Sequence, residues 1–249
     1  MQGVFFDLFG TLLIYTNSRR AWEDWLSVLY NNFIEFGYME TKESFAIKCN
    51  GIMSKPEPNN INPGLTIFEK RIFDLAIDLG LGIEENEIRR LSREAVTAWQ
   101  KYVPLDPDSI PVLNTLKKSK ILALVSNFDH PPHIYSILSK FNLKHFFDSI
   151  IISSEVGVKK PDPSIFAFAF EQTNLKPNEV CYIGDTKDDV IAAIRAKILP
   201  ILIQRKIDTE DEILYDYSTE KSFVNSNNSV ENTKNVKIIT SLKDLIGFV

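Results

Sequence analysis

The sequence predicts an α/β protein in which a doubly wound parallel sheet carries an inserted α-helical subdomain. Two observations indicate the sheet: short runs rich in Ile, Val and Leu recur along the chain, and segments with helical spacing separate them. A third observation indicates the insertion, because residues 15–105 break this alternation and show successive helical patterns instead.

The first strand is predicted at the start of the chain, where the apolar run of residues 3–6 ends in Asp7 and a Gly10-Thr11 turn follows. Five further strands are predicted at residues 121–126, 149–154, 180–184, 199–204 and 236–240. Helical segments are predicted between them at residues 111–118, 132–141, 164–172 and 190–196. This alternation is typical of βαβ units with right-handed crossovers.

The break in the alternation predicts the domain organisation. Residues 1–14 and 106–249 are assigned to the sheet domain, and residues 15–105 to the helical subdomain. The tryptophans of the subdomain recur at helical spacing and are expected to be core residues. Residues 218–235 are rich in Asn and Ser and predict an exposed, mobile loop before the last strand.

The composition excludes several classes of protein. With 44% hydrophobic and 24% charged residues, the chain resembles an ordinary globular protein, and its net charge of −5 argues against nucleic-acid binding. No apolar run is long enough for a membrane span, and the early strand leaves no room for a signal peptide. The two cysteines are expected to be free thiols in the cytoplasm. The oligomeric state stays open.

Polar side chains cluster at the predicted carboxyl ends of the strands. They are Asp7, Ser126, Asn127, Lys160, Asp185 and Asp189. In open parallel sheets these ends meet at one crevice, so the side chains are expected to converge. There Asp7 is a candidate nucleophile or metal ligand, and it could share Mg²⁺ with Asp185. Lys160 would keep Asp7 ionised, and the other donors would hold a transferring group.

The chain resembles the haloacid dehalogenase superfamily over nearly its whole length. Four motifs carry the resemblance: Asp-x-Phe-Gly-Thr-Leu at residues 7–12, Ser-Asn at 126–127, Lys-Pro-Asp-Pro at 160–163 and Gly-Asp-x-x-x-Asp at 184–189. The resemblance implies a Rossmann-like core and makes residues 15–105 its helical cap, which selects the substrate.

The resemblance also implies a role for each site residue. It makes Asp7 the nucleophile, and it gives the Mg²⁺ ligands as Asp7, the backbone carbonyl of Phe9 and Asp185. Asp189 would orient metal-bound waters or Lys160, and is counted with the metal site. The residues that would bind a small phosphorylated or halogenated substrate are Thr11, Ser126, Asn127 and Lys160.

Phe9 departs from the pattern of the phosphatases, which usually carry a second aspartate there to protonate the leaving group. A dehalogenase needs no such acid, because a halide leaves without a proton. The dehalogenases, however, work without metal, whereas two acids as close as Asp7 and Asp185 require a cation between them. The preferred interpretation is therefore a Mg²⁺-dependent phosphohydrolase. A metal-independent 2-haloacid dehalogenase-like hydrolase and a non-catalytic ligand-binding relative remain alternatives.

Two histidines beside the second motif, His130 and His133, flank Pro131 and Pro132. They are expected on a solvent-facing loop at the edge of the cap entrance rather than among the ligands or bases.

Overall fold

Six parallel strands form one sheet in the described part of the chain, which comprises residues 1–58, 63–205 and 236–249 of the computed structural model. They are β1 (Gly3–Phe6), β2 (Ile121–Ser126), β3 (Ser149–Ile152), β4 (Val180–Gly184), β5 (Leu199–Ile203) and β6 (Lys237–Ile239). Their order is β3-β2-β1-β4-β5-β6, with Gly3 in register with both Ile121 and Val180. The order reverses direction at β1, which opens a crevice at the carboxyl ends of β1 and β4.

The insertion between β1 and β2 is helical. Its helices are α1 (Ser18–Glu35), α2 (Lys42–Cys49), α3 (Ile67–Asp78) and α4 (Glu85–Gln100). The helix α3 begins at a capping box, in which the Thr66 hydroxyl and the Glu69 carboxylate satisfy each other's backbone N–H groups. Trp25 and Trp99 are buried, as predicted for core residues, whereas Trp22 is half-buried and stacks on Trp25 with ring centroids 4.8 Å apart.

Two chain segments connect the insertion to the sheet, and they run side by side. The N–H of Ile14 donates to Pro104 O at 2.9 Å, and the N–H of Asp106 donates to Leu12 O at 3.0 Å. The bounds of a cap at residues 15–105 lie at these segments and stay a prediction.

Both faces of the sheet are covered. The remaining helices are α5 (Ser109–Lys117), α6 (Pro131–Lys140), α7 (Ser153–Val156), α8 (Ile165–Thr173) and α9 (Lys187–Arg195). On β1, Val4 and Phe6 pack into one hydrophobic cluster with α5 and α6, whereas Phe5 packs into a second cluster with α8 and α9. This alternation confirms the predicted doubly wound α/β fold.

Three details qualify the predicted elements. The third strand ends at Ile152, because Ser153 begins α7. Residues 218–235, predicted to form a mobile loop, lie outside the described residues. No helix within the described ranges is both long and apolar enough to cross a membrane.

Candidate active site

The predicted site residues come together at the carboxyl edge of the sheet. Asp7 follows β1 directly, Ser126 ends β2, and Asp185 follows β4 directly. Asp189 lies in the first turn of α9, and Lys160 lies in the connection between α7 and α8. One carboxylate oxygen from each of the three aspartates lies within 4.8 Å of the others.

Lys160 is the centre of a buried network. Its side chain is only 4% exposed, and its Nζ donates to Asp7 Oδ1 at 2.8 Å, to Asp189 Oδ1 at 2.6 Å and to Tyr182 Oη at 2.8 Å. A fourth, longer contact to Val125 O at 3.3 Å leaves all three hydrogens of the ammonium group with acceptors. We call Asp7, Lys160, Tyr182 and Asp189 the lysine network.

The backbone of Lys160 is fixed by Asn127. The N–H of Lys160 donates to Asn127 Oδ1 at 2.9 Å, and Asn127 Nδ2 donates to Lys160 O at 3.0 Å. The side-chain amide of Asn127 therefore holds the lysine in place. Binding of a substrate by Asn127, which was predicted from its place at the end of β2, stays a prediction.

Asp189 is oriented by the start of its own helix. Its Oδ2 accepts from Thr186 N at 3.0 Å and from Thr186 Oγ1 at 2.6 Å, while its Oδ1 faces Lys160 and Tyr182. Gly184 leaves room for this carboxylate, because a Cβ there would lie 2.3 Å from Asp189 Cγ. Both oxygens of Asp189 are thus engaged within the protein, which favours the role of orienting Lys160.

The turn after β1 packs directly on Asp185. Gly10 has φ +78°, and a Cβ at this position would lie 2.0 Å from Asp185 Oδ2. Both the backbone angle and the close approach therefore require glycine. The contact fixes the position of Asp185 relative to the turn that bears Thr11.

Several buried polar atoms of the site have no hydrogen-bond partner within the described residues. They include Thr11 Oγ1, Ser126 Oγ and Asp185 Oδ1. A buried polar atom without a partner costs about 1–3 kcal/mol and calls for an explanation such as a missing ion or ligand. Carboxylate oxygens are the ligands that Mg²⁺ prefers, so Asp7 and Asp185 fit a hard divalent cation.

The pKa values follow from burial and from the pairing with Lys160. Burial raises the pKa of Asp7 to about 6, although Lys160 acts in the opposite direction. Burial, with the charges of Asp189 and Asp7, raises the pKa of Asp185 well above its usual range. Burial would also raise the pKa of Asp189, but Lys160 and the hydrogen bonds outweigh it, so that this pKa is lowered. Asp185 is the carboxylate whose charge lacks compensation.

Aromatic side chains cover the other side of the turn. The ring of Phe9 stacks on Phe128 with centroids 4.8 Å apart and meets Trp99 of α4 edge-on at 5.3 Å. His133 stacks on Phe128 at 5.9 Å, and its Nε2 contacts Gln100 Oε1 at 2.9 Å. We call Phe9, Trp99, Phe128 and His133 the aromatic cluster.

The expectation that the histidines face solvent is wrong. His130 is 4% exposed and His133 is 8% exposed. The reason is that Pro131 and Pro132 form the first turn of α6, where their missing N–H groups cost nothing, and this directs the segment under the inserted helices. His130 Nδ1 lies 2.9 Å from Thr66 Oγ1. Burial, assisted by the charges of His130 and Lys140, lowers the pKa of His133 to about 4.

The family is shown by comparison with known proteins. A family model described as haloacid dehalogenase-like hydrolase matches residues 1–197. The chain belongs to this family. The resemblance drawn from the four sequence motifs is thereby confirmed.

The proteins similar to this chain include both a phosphatase and a dehalogenase. The chain is 36% identical over 123 residues to the glyceraldehyde 3-phosphate phosphatase of Methanopyrus kandleri, covering 47% of this chain and 52% of that protein. It is 23% identical to the (S)-2-haloacid dehalogenase 4A of Burkholderia cepacia, covering 63% and 66%. The aligned segments thus span between half and two thirds of these relatives.

A solved structure shows the same fold. The crystal structure of the 2-haloacid dehalogenase from Pseudomonas syringae pv. tomato DC3000 superposes with a TM-score of 0.64, covering 99% of this chain and 97% of that one. Its sequence identity of 18% supports the fold alone.

Tyr182, which belongs to the lysine network, was missed from the sequence. Tyr182 lies on β4, in a strand that also contains Val180 and Ile183, so the sequence pattern predicts only a core residue there. Its hydroxyl also contacts Val125 O at 3.0 Å and Asp189 Oδ1 at 2.9 Å. A usable signal was its place two residues before the Gly-Asp motif, on the alternate face from Ile183.

Proposed function

We propose that this chain is a Mg²⁺-dependent phosphohydrolase that acts on a small phosphorylated metabolite through an aspartyl-phosphate on Asp7. The observation that carries the proposal is Asp185, a half-buried residue whose carboxylate lies beside Asp7 and whose buried Oδ1 is unpaired among the described residues. Lys160 compensates Asp7 and Asp189, but no described cation pairs with Asp185. A divalent cation would supply the missing charge.

The proposed ligands are Asp7, Asp185 and the backbone carbonyl of Phe9, with Asp189 acting through Lys160 or metal-bound water. When bound, Mg²⁺ would neutralise substrate phosphate oxygens and so permit attack by a carboxylate. Lys160 keeps the nucleophile oriented through its bond to Asp7 Oδ1, which leaves Oδ2 available for attack. The unpaired hydroxyls of Ser126 and Thr11 are proposed to donate to the transferring group.

The proposed reaction has two displacements. Asp7 attacks phosphorus, a carboxylate–phosphorus bond forms, and the bond from phosphorus to the leaving oxygen breaks. Water then attacks the phosphorus of the aspartyl-phosphate, which releases inorganic phosphate and restores Asp7. Phe9 offers no proton to the leaving oxygen, so a leaving group of low pKa is favoured.

The setting of the reaction is also proposed. The net charge of −5 supports a small molecule rather than a nucleic acid as the partner. Both cysteines, Cys49 and Cys181, are buried free thiols, which supports a reducing cytoplasm.

The test is hydrolysis of 4-nitrophenyl phosphate with Mg²⁺ and with a chelator. We expect turnover in Mg²⁺ only, and a loss of about 10³-fold or more in Asp7→Asn, because the nucleophile is removed. Turnover that survives chelation, or that persists in Asp7→Asn, contradicts the mechanism.

A second candidate is carbon–halogen cleavage of a short 2-halo acid, with Asp7 displacing halide at carbon. Phe9 favours it, because an aromatic residue stands where a proton donor would be needed for an alkoxide but not for a halide. The dehalogenase relative of Burkholderia cepacia supports the same alternative. Halide release from 2-chloropropionate in the presence of a chelator would establish this reaction in place of the first.

A further inference from the structure

Arg205, two residues after the end of β5, lies across the turn that follows the proposed nucleophile. Its Nη2 donates to Thr11 O at 2.6 Å, and its Nη1 donates to Gly10 O. Its Nε and Nη2 donate to Asp106 Oδ2 at 3.2 and 2.6 Å. A guanidinium has five N–H hydrogens in a rigid plane, so one side chain engages three groups at once.

The turn is fixed along its whole length by these bonds and their neighbours. The next carbonyl, Leu12 O, accepts from the N–H of Asp106 at 3.0 Å and from Ser109 Oγ at 2.7 Å. Three successive carbonyls are therefore held from the side of Asp106 and Arg205. The same turn packs on Asp185 through Gly10, where a Cβ would overlap the carboxylate.

The carboxylate of Asp106, which accepts from Arg205, is itself held in place by a further hydrogen bond. Asp106 is buried, and it lies in the segment that returns from α4 to the sheet. Its Oδ1 accepts from the N–H of Asp108 at 2.8 Å, so its carboxylate is fixed independently of Arg205. A lysine in place of Arg205 would keep the charge opposite Asp106, but it could not hold the two carbonyls in the same geometry.

We propose that Arg205 is a positioning residue that fixes the turn at residues 10–12 and, through it, the placement of Thr11 and Asp185 relative to Asp7. Asp106 is its anchor. The inference rests on the proposed function for its kinetic consequence, but the immobilisation of the turn does not depend on which reaction the site catalyses.

The experiment compares Arg205→Gln, Arg205→Lys and a control, Arg90→Gln. Arg90 also makes several side-chain bonds, but its partners Asn32, Glu87 and Glu94 all lie on α1 and α4. Three quantities are measured: hydrogen–deuterium exchange of peptides covering residues 8–13, kcat and KM for 4-nitrophenyl phosphate, and the rise in Tm on adding Mg²⁺.

For Arg205→Gln we expect faster exchange at residues 8–13, a fall in kcat of about 10- to 100-fold and a smaller Mg²⁺-induced rise in Tm, because small misplacements of reacting groups are costly. Arg205→Lys should regain most of the Tm of the metal-free protein and little of kcat. Arg90→Gln should change Tm without changing exchange at residues 8–13 or kcat.

Unchanged exchange at residues 8–13 in Arg205→Gln overturns the inference, and so does faster exchange with unchanged kcat. If the wild type hydrolyses no phosphate ester in Mg²⁺, the proposed function fails. The exchange measurement on the metal-free protein then decides the role of Arg205 by itself.

Discussion

The lysine network and the aromatic cluster meet at one segment of the chain, since Asp7 belongs to the first and Phe9 to the second. The two regions differ in charge. In the lysine network, each charged group is paired: Lys160 with Asp7 and Asp189, and Asp189 with Thr186 as well. In the aromatic cluster no side chain carries a charge near neutral pH, because burial holds the pKa of His133 at about 4.

The difference separates two tasks of a hydrolase. In the proposed reaction, the lysine network would present the carboxylate of Asp7, and the unpaired hydroxyls beside it would hold the anion. Three members of the aromatic cluster, Phe9, Trp99 and His133, are buried, and the cluster offers no acid for a leaving group near neutral pH. This difference supports the proposal that the reaction proceeds by displacement with little help from proton transfer, and the following experiments test that proposal.

The largest effect is expected from placing an acid in the aromatic cluster with Phe9→Asp. If the missing acid limits the reaction, the substitution should raise turnover of alkyl phosphates by up to about 10²-fold, at the lower end of the range for general acid catalysis. Turnover of aryl phosphates should change little, because an aryloxide leaving group has a low pKa and departs without a proton donor. The measurement is a plot of log rate against leaving-group pKa for both proteins.

Phe9→Leu is the matched control, because it removes the same ring without adding a proton donor. It should keep the steep wild-type slope. A wild-type slope that is already flat, with chemistry rate-limiting, would show that another residue or water donates the proton, and the account of Phe9 would then be wrong.

A second experiment tests whether the aromatic cluster is uncharged. The pKa of His133 is about 4 in the folded protein and 6.5 when unperturbed, so its contribution to stability is complete above pH 6.5 and is lost as the pH falls from 6.5 to 4. The expected loss is roughly 3 kcal/mol at 1.36 kcal/mol per pKa unit. Chemical denaturation between pH 7 and pH 4 measures it.

His133→Gln is the comparison, since an amide keeps a donor for Gln100 without titrating in this range. The stability of the wild type should fall more steeply than that of the variant as the pH decreases. Parallel curves would mean that His133 titrates normally and that the cluster holds a charge near pH 6.

The sequence predicted the convergence of Asp7, Ser126 and Asp185 because each follows or ends a parallel strand, and strand ends meet by topology. It also predicted Asp7 and Asp189 beside Lys160, but it did not predict Tyr182 as the third partner of the ammonium group. Tyr182 resembles a core residue in an apolar strand, and its hydroxyl contacts Lys160, which lies 22 residues away in the sequence. Contacts of this kind depend on tertiary packing, which local pattern does not encode.

The error on His130 and His133 has a local cause. Two adjacent prolines indicate a loop by composition, yet they also suit the first turn of a helix, and here the second possibility holds. Arg205 was missed for a different reason. Two of its acceptors are the backbone carbonyls of Gly10 and Thr11, which no sequence pattern marks, and the third is Asp106, which lies 99 residues away in the sequence.

The smallest effects concern the contrast between paired and unpaired hydroxyls, tested by Tyr182→Phe and Ser126→Ala. Tyr182→Phe removes an acceptor from a buried ammonium, so the free energy of unfolding should fall by about 1–2 kcal/mol.

Ser126→Ala removes a hydroxyl that has no partner in the described structure, so stability should stay constant or rise by up to about 1 kcal/mol, while KM for 4-nitrophenyl phosphate increases. Ser149→Ala is the matched control: its hydroxyl is likewise buried and unpaired among the described residues, but it lies at the opposite end of the sheet, at the start of β3, so stability should respond as in Ser126→Ala and KM should not change. Denaturant unfolding and steady-state kinetics on the metal-free and Mg²⁺-loaded proteins measure both quantities. A loss of stability in Ser126→Ala equal to that in Tyr182→Phe would show that the hydroxyl of Ser126 is hydrogen-bonded within the protein. The proposal that this hydroxyl binds substrate, whereas that of Tyr182 stabilises the lysine network, would then be wrong.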